Sequence, residues 1–79
     1  MSHTPHELAE EFPDAIEKIR DLKASNAHFA KLADVYHEVN REIHRIETDI
    51  EPASDAHQTE LRKRRLSLKD EIYAMLSEA

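Results

Sequence analysis

The residues of this chain that could do chemistry are six histidines, a short basic run and a scatter of carboxylates. His37 and His44 lie seven residues apart, which on a helix separates them by about 10.5 Å along the axis. A metal ion holds its ligand nitrogens at about 2 Å, so these two histidines cannot share one ion. His3 and His6 have a suitable spacing but fall in a terminus that we expect to fray. The sequence therefore predicts no metal site and no cofactor.

Catalysis by a nucleophile or by paired carboxylates is not supported by the spacing of these residues. Neighbouring carboxylates such as Asp70 and Glu71 diverge by about 100° on a helix. Thr4, Ser25 and Ser54 lie where helices are expected to begin or break, and there their hydroxyls act as caps. We therefore predict that the protein is not an enzyme, has no catalytic residues and acts on no small-molecule substrate.

The run RKRR at residues 62–65 is the segment that could contact phosphate groups. The chain as a whole holds 11 basic and 17 acidic residues, a net charge of -6, whereas nucleic-acid binders concentrate positive charge. Arg62, Arg65 and Lys69 do share one flank of a helix. A small nucleic-acid- or ribosome-associated regulator that uses this flank is therefore the alternative interpretation, and nucleic acid is not the expected partner.

The elements that position these side chains are predicted to be long helices. Glycine and cysteine are absent, proline occurs three times, and charged residues with alanine and leucine dominate the chain. The first residues lack the basic start and apolar core of a signal peptide, and no apolar run is long enough to span a membrane. We predict an all-α, cytoplasmic protein made of a single domain over residues 1–79, with no membrane association.

An N-terminal helical arm is predicted over residues 1–25. Thr4, Pro5 and Glu7 form a capping box with proline at the first helical position, and Pro13 divides the arm. The pattern leaves open whether the arm is one kinked helix or a short helix followed by a longer one. It also leaves open whether the arm packs on its own hairpin or on another chain. The apolar stripe of the arm consists of Leu8, Phe12, Ile16, Ile19 and Leu22.

Two long helices follow the arm, over residues 26–51 and 55–78, with a turn at residues 52–54. Asn26 is a suitable cap for the first, and Pro52 is expected to end it. From residue 29 onward, apolar residues recur at alternating intervals of three and four, the spacing of a coiled coil. This spacing predicts an antiparallel two-helix coiled-coil hairpin that carries the N-terminal arm.

Folding the chain back at the turn pairs apolar side chains across the two long helices. Phe29 then faces Met75, and Ile43 faces Leu61, while only two layers are mixed. A shift by one residue would rotate the seam by about 100° and destroy the pairing. The predicted seam consists of Phe29, Leu32, Tyr36, Val39, Ile43, Ile46, Leu61, Arg65, Leu68, Ile72 and Met75.

Arg65 is the charged residue of this predicted seam. Its layer partner is Val39, and we expect its stem to pack there while the guanidinium reaches Glu38 or Glu42 on the facing helix. In a rival register the last helix is rotated and Leu66 fills this layer instead.

The strings NAHFAKLADVYHEVNREIHRIE, EPASD and LKDEIYAML resemble the YdcH-like family of small bacterial proteins. The segments HFAKL (28–32) and LKDEIYAML (68–76) are the most specific part of the likeness, which spans residues 12–76. Ala27 stands where family members often carry proline. The resemblance implies a helical hairpin with a domain of unknown function, and it supplies no reaction and no site residues.

The size of the chain bears on its function. A hairpin of two helices buries one seam, and at this length a single core is only marginally sufficient. We therefore predict a protein–protein interaction or self-assembly module that acts through helix–helix packing. The expected partner is a second copy of the chain or another helical protein.

Overall fold

The fold is all-α, as predicted, and is built on an antiparallel helical hairpin. The computed structural model describes residues 6–48 and 53–78. The helices are α1 (Leu8–Glu11), α2 (Ile16–Ser25), α3 (Ala27–Glu47) and α4 (Asp55–Glu78), with a 3-10 turn at Pro13–Ala15 between the first two. Thr4 and Pro5 of the predicted capping box, and Pro52 of the predicted turn, lie outside the described residues.

The N-terminal arm is a short helix followed by a longer one, which decides between the two alternatives that the sequence left open. Phe12 leaves the helical region, with φ −130° and ψ 65°, and thereby ends α1. Pro13 then opens the 3-10 turn, where its fixed φ and missing N–H carry no penalty. The helical geometry is thus interrupted between α1 and α2, and both pieces still contribute to one core cluster.

Asn26 separates α2 from α3 and caps the longer helix. Its backbone is extended, and its side-chain oxygen accepts a hydrogen bond of 3.1 Å from the Phe29 N–H, one of the amides that α3 cannot satisfy internally. Ser25 does not cap α3, because its hydroxyl donates 2.8 Å back to the Asp21 carbonyl.

The cap at Asn26 leads to a first prediction. We expect Asn26→Ala to lower the free energy of unfolding by about 1 kcal/mol, because the Phe29 amide loses its acceptor. Urea denaturation followed by circular dichroism measures this loss. Ser25→Ala is the matched control and should change stability by less than about 0.5 kcal/mol, since Ser25 is exposed. Equal losses for the two variants would contradict the assignment of the cap.

The helix α3 ends at Glu47, earlier than the predicted boundary at residue 51. Thr48 closes its last turn, since the Thr48 hydroxyl donates to the carbonyls of His44 (2.9 Å) and Arg45 (3.2 Å). At the start of α4, the Ser54 hydroxyl accepts 3.1 Å from the His57 N–H, which confirms Ser54 as the cap. Local side-chain bonds thus define the two ends of the hairpin turn.

The core of the molecule forms two clusters along the hairpin. One lies at the open end, where α3 begins and α4 finishes, and consists of Ile19, Phe29, Ala33, Tyr36, Ile72 and Leu76. The other lies towards the turn and consists of Val39, Ile43, Ile46 and Leu61. Leu68 packs against both clusters. The arm supplies Ile19 to the first cluster, so it packs on its own hairpin and covers the open end.

Candidate interaction surface

The arm is attached to α3 through polar contacts at its beginning. The Tyr36 hydroxyl donates a hydrogen bond to the His6 carbonyl, and His37 Nδ1 lies 3.0 Å from a carboxylate oxygen of Glu7. His6 has a positive φ of 64°, a conformation that costs a non-glycine residue some strain. The bond from Tyr36 therefore holds the chain in a conformation that it would not otherwise favour.

The arm is attached to α4 by charged and aromatic contacts. Lys69 Nζ lies 3.1 Å from a Glu11 carboxylate oxygen, and Lys18 Nζ donates 2.8 Å to the Leu76 carbonyl. That carbonyl lies in the last turn of α4, whose acceptors have no partner within the helix. The rings of Phe12 and Tyr73 stack with their centroids 6.0 Å apart. Both long helices thus hold the arm.

The predicted arm stripe is divided by this docking. Ile19 is buried, and Leu8, Phe12 and Leu22 pack against the open-end cluster. Ile16 remains 43% exposed. The stripe therefore serves the protein's own core, and Ile16 is the member that the fold leaves at the surface.

The docked arm shifts the pKa of the Glu11 carboxyl. Burial acts to raise that pKa, but the hydrogen bonds and charges of Lys69 and His6 outweigh burial, so the pKa lies below its ordinary value of 4.5. A carboxyl whose pKa is depressed by folding contributes stability above its unfolded pKa and loses it as the pH falls through the folded pKa. The contact between arm and α4 is therefore weakened in acid.

The phenol of Tyr36 is shifted in the opposite direction. Burial, reinforced by the negative charges of Glu11 and Glu7 and opposed by Arg65, raises the pKa of Tyr36 to about 12. The folded state thus favours the neutral form of the Tyr36 phenol. Its hydroxyl is also the donor to the His6 carbonyl, which ionisation would abolish.

The raised pKa of Tyr36 leads to a second prediction, on alkaline stability. Between pH 10, the ordinary value, and about 12, the unfolded chain ionises this phenol while the folded chain does not. Folding stability contributed by Tyr36 should therefore be fully present below pH 10 and be lost as the pH rises towards 12.

The measurement is the melting temperature of the native chain and of Tyr36→Phe from pH 8 to pH 12. Tyr36→Phe should be less stable than the native chain at pH 8, because it loses the bond to His6. The difference in melting temperature between the two chains should shrink as the pH rises, since only the native chain carries the phenol. A gap that stays constant up to pH 12 would show that Tyr36 ionises as freely in the folded as in the unfolded state.

The predicted seam residues are placed by the structure along the hairpin, with different degrees of burial. Those that are buried are Phe29, Tyr36, Val39, Ile43, Ile46, Leu61 and Ile72. Those that are partly buried are Leu32, Arg65, Leu68 and Met75. Two side-chain bonds cross the hairpin, from His57 to Glu42 and from Arg62 to Glu47. The predicted pairing places Arg62 opposite Glu42 and His57 opposite Glu47, so each bond runs diagonally to one side of it.

The predicted seam between the two long helices did not include three residues that are buried in the structure: Ala33, Asn40 and Leu76. Each lies four residues after a fully buried seam residue, and they widen the buried face on the flank where Ala33 and Leu76 meet the arm. The signal available in the sequence was this i, i+4 spacing, which is typical of a helix with neighbours on two sides.

Arg65 is partly buried, and its guanidinium donates 3.0 Å to the side-chain oxygen of Asn40. The expected carboxylate partner was therefore wrong. Glu42 is bonded to His57 at 3.1 Å, and Glu38 is exposed. The rival register is wrong as well, since Leu66 is 58% exposed. Asn40 is only 1% exposed, so the bond from Arg65 satisfies an amide oxygen that is shielded from water.

Several of the other candidate chemical groups are engaged in pairs. His6, His37 and His57 each lie next to one carboxylate, and each side chain is about half exposed. Within residues 6–48 and 53–78, no group of three or more histidines and carboxylates is arranged to hold a metal ion. On the basic flank, Arg62 pairs with Glu47 at 3.2 Å and Lys69 with Glu11.

The outer face of α4 carries the largest exposed apolar side chains of the hairpin. Leu66 and Tyr73 are 58% and 59% exposed, and their spacing of seven residues places them on the same side of the helix. Neither packs inward with Leu61, Ile72 and Leu76. The helix thus has an inner apolar stripe that faces α3 and an outer one that is largely exposed, with Tyr73 also stacked on Phe12 of the arm.

An open groove of about 660 Å³ lies beside Tyr73, between the arm and the C-terminal part of α4. Its apolar lining comes from both walls: Phe12, Pro13, Ala15, Tyr73 and Leu76. The arm also contributes four carboxylates, from Glu11, Asp14, Glu17 and Asp21. The groove therefore combines apolar residues from both walls with carboxylates from the arm, and Lys18 also lines it.

The helical hairpin with its docked arm defines a class of small all-α proteins. Within the described part of the chain, no helix combines the length and the apolar character needed to cross a membrane. The chain belongs to the family described as "Protein of unknown function (DUF465)", which matches residues 29–76 and is the family to which YdcH belongs. The resemblance seen in the sequence is thus confirmed. No curated protein and no solved structure matches the chain.

Proposed function

We propose that this protein is a non-enzymatic interaction module that binds a second copy of itself or another helical protein through helix–helix packing. The observation that carries the proposal is the outer apolar stripe of α4. Leu66 and Tyr73 expose most of their side chains two helical turns apart, although the hairpin and its arm have already buried their own core.

Exposed apolar residues at a spacing of seven are the pattern by which helices associate. Residues seven apart recur on one side of a helix and can insert between the side chains of a facing helix. Tyrosine is enriched among the residues that dominate binding energies, because its ring supplies a large, rigid contact area. The ring of Tyr73 is further fixed by its stacking on Phe12, so less conformational freedom would be lost on binding.

The contacts of the basic flank weigh against the alternative of a nucleic-acid-associated regulator. Arg62 and Lys69 each pair with a carboxylate of the chain, and Arg65 binds Asn40. A phosphate group would have to displace these partners. The carboxylates Glu47 and Glu11 that they engage would then repel it.

The experiment is sedimentation equilibrium of the full chain between about 1 and 500 μM, with circular dichroism at each concentration. We expect reversible association at constant helicity, which Leu66→Ser with Tyr73→Ser abolishes. Ile16→Ser is the matched control, because Ile16 is also an exposed aliphatic residue but lines a different surface depression, with Arg20 and Lys23, and this variant should associate like the native chain.

A fully helical monomer over the whole concentration range would overturn self-association. Binding to a labelled RNA or DNA oligonucleotide at 50 mM salt that disappears at 300 mM salt would favour the alternative instead, because counterion release makes such binding depend steeply on salt. Apolar helix packing should change little over this range.

A further inference from the structure

We infer that the outer face of α4 pairs with the same face of a second copy, antiparallel and around a two-fold axis, so that Leu66 of each copy packs beside Tyr73 of the other. This inference rests on the proposed function, because it names the partner and the geometry of that surface. It is carried by three features of α4: its outer stripe, the charges along that stripe and the acidic groove at one end.

The outer face of α4 is self-complementary when it is reversed. Arg62, Leu66, Asp70, Tyr73 and Ser77 recur at intervals of three or four and are all exposed, so they form one side of the helix. If Leu66 lies opposite Tyr73 of the other copy, Lys69 lies opposite Asp70 and Arg62 opposite Ser77. The axis then passes between Lys69 and Asp70, and every contact occurs twice, as in an isologous dimer.

The charges favour this antiparallel orientation over a parallel one. The exposed basic residue Lys63 stands at one end of the face, next to Arg62, whose charge is partly offset by its own pairing with Glu47. At the other end, the groove presents Asp14, Glu17 and Asp21 from the arm, which outnumber its one lining cation, Lys18. An antiparallel pair brings the basic end of each copy to the acidic end of the other, whereas a parallel pair sets basic against basic. Like charges brought together across an interface disfavour that arrangement.

The groove also provides a place for the exposed leucine. Its apolar lining includes Phe12, Tyr73 and Leu76, and Tyr73 is the residue that the antiparallel pairing places opposite Leu66. Leu66 of the second copy therefore enters an apolar space with acidic residues along one wall, while Arg62 and Lys63 of the same copy, about one turn away, meet those carboxylates. One segment, RKRRL at residues 62–66, supplies both the apolar anchor and the complementary charge.

Cysteine cross-linking of the full chain tests this geometry, since the native sequence contains no cysteine. Asp70→Cys places thiols next to the two-fold axis, where the two copies are offset by only about one residue. Thr59→Cys lies on the same face but about 30 Å from its counterpart in an antiparallel pair, and next to it in a parallel one. A disulfide requires Cα atoms within roughly 7 Å.

We expect Asp70→Cys to form a covalent dimer under mild oxidation and Thr59→Cys to remain monomeric on a denaturing gel. Adding Leu66→Asp to Asp70→Cys should reduce the cross-linked fraction at least tenfold, while adding Ile16→Asp should leave it unchanged. Circular dichroism of each variant shows that the helices are intact. Cross-linking of Thr59→Cys, or of neither variant, would overturn the antiparallel pairing.

A mixture of two charge variants tests the orientation independently. Arg62→Glu with Lys63→Glu, and Asp14→Lys with Glu17→Lys, should each lose association when alone. Mixed together they should form a heterodimer, because both ends of the interface are then complementary. If the native chain sediments as a dimer but the mixture does not associate, the inferred pairing is wrong while the proposed function stands. A native chain that is monomeric would overturn the inferred pairing together with self-association, and would leave another helical protein as the partner in the proposed function.

Discussion

Replacing Ile72 with alanine is expected to lower the free energy of unfolding by about 2–5 kcal/mol, because the deletion leaves a cavity that the neighbours fill only partly. Ile72 has no exposed surface and lies in the open-end cluster, where α3, α4 and the arm meet. A cavity there weakens the packing of all three. Urea denaturation of the full chain, followed by circular dichroism, measures the change.

The matched control for Ile72→Ala is Leu66→Ala on the same helix. Leu66 is 58% exposed, so its truncation should change the stability of the monomer by no more than about 0.5 kcal/mol. The comparison is made at a concentration low enough for the chain to be monomeric, since association would add stability of its own. A larger loss at Leu66 than at Ile72 would contradict the observed register and favour the rotated helix.

The hairpin could be predicted from the sequence because its signals are short-range. The alternating spacing from Phe29 onward specifies one apolar side of α3, and Asn26 and Ser54 supply caps whose acceptors bond amides three residues away. With one side of each helix defined and a short connection between them, the antiparallel pairing follows. These features depend on neighbours along the chain and hardly at all on the rest of the fold.

The docking of the arm could not be predicted, because it depends on residues far apart in the sequence. The apolar stripe of the arm suits a second chain as well as its own hairpin. What distinguishes the two are contacts such as Lys18 with the Leu76 carbonyl and Tyr36 with the His6 carbonyl. A polar side chain shows no preferred backbone partner in the sequence, so these bonds had no signal beforehand.

The candidate interaction surface was missed for a related reason. The apolar residues of α4 lie on two sides of the helix, and the predicted seam included only the side that faces α3. Leu66 was considered only as an alternative residue for the inner layer, although the structure places it on the outer face with Tyr73. A helix with two apolar stripes, one facing its own hairpin and one exposed, shows no single clear period.

The buried polar contact between Arg65 and Asn40 gives the other large expected effect. We expect Arg65→Glu to lower the free energy of unfolding by about 2–4 kcal/mol, because it replaces the donor to a buried amide oxygen with a negative charge. Urea denaturation at pH 7 measures the loss, and it should be smaller at pH 4, where the new carboxyl is largely protonated.

A cycle with Asn40 separates the hydrogen bond from the packing of the arginine stem. Arg65→Leu keeps an apolar side chain in the layer but removes one donor from the Asn40 oxygen, so it should cost about 1–3 kcal/mol. Adding Asn40→Leu to Arg65→Leu should cost less than the sum of the two single losses, because the amide oxygen that would lack its Arg65 donor is then also removed. If Arg65→Leu alone were as stable as the native chain, the bond to Asn40 would contribute nothing. The arginine would then be held in place by the packing of its stem alone.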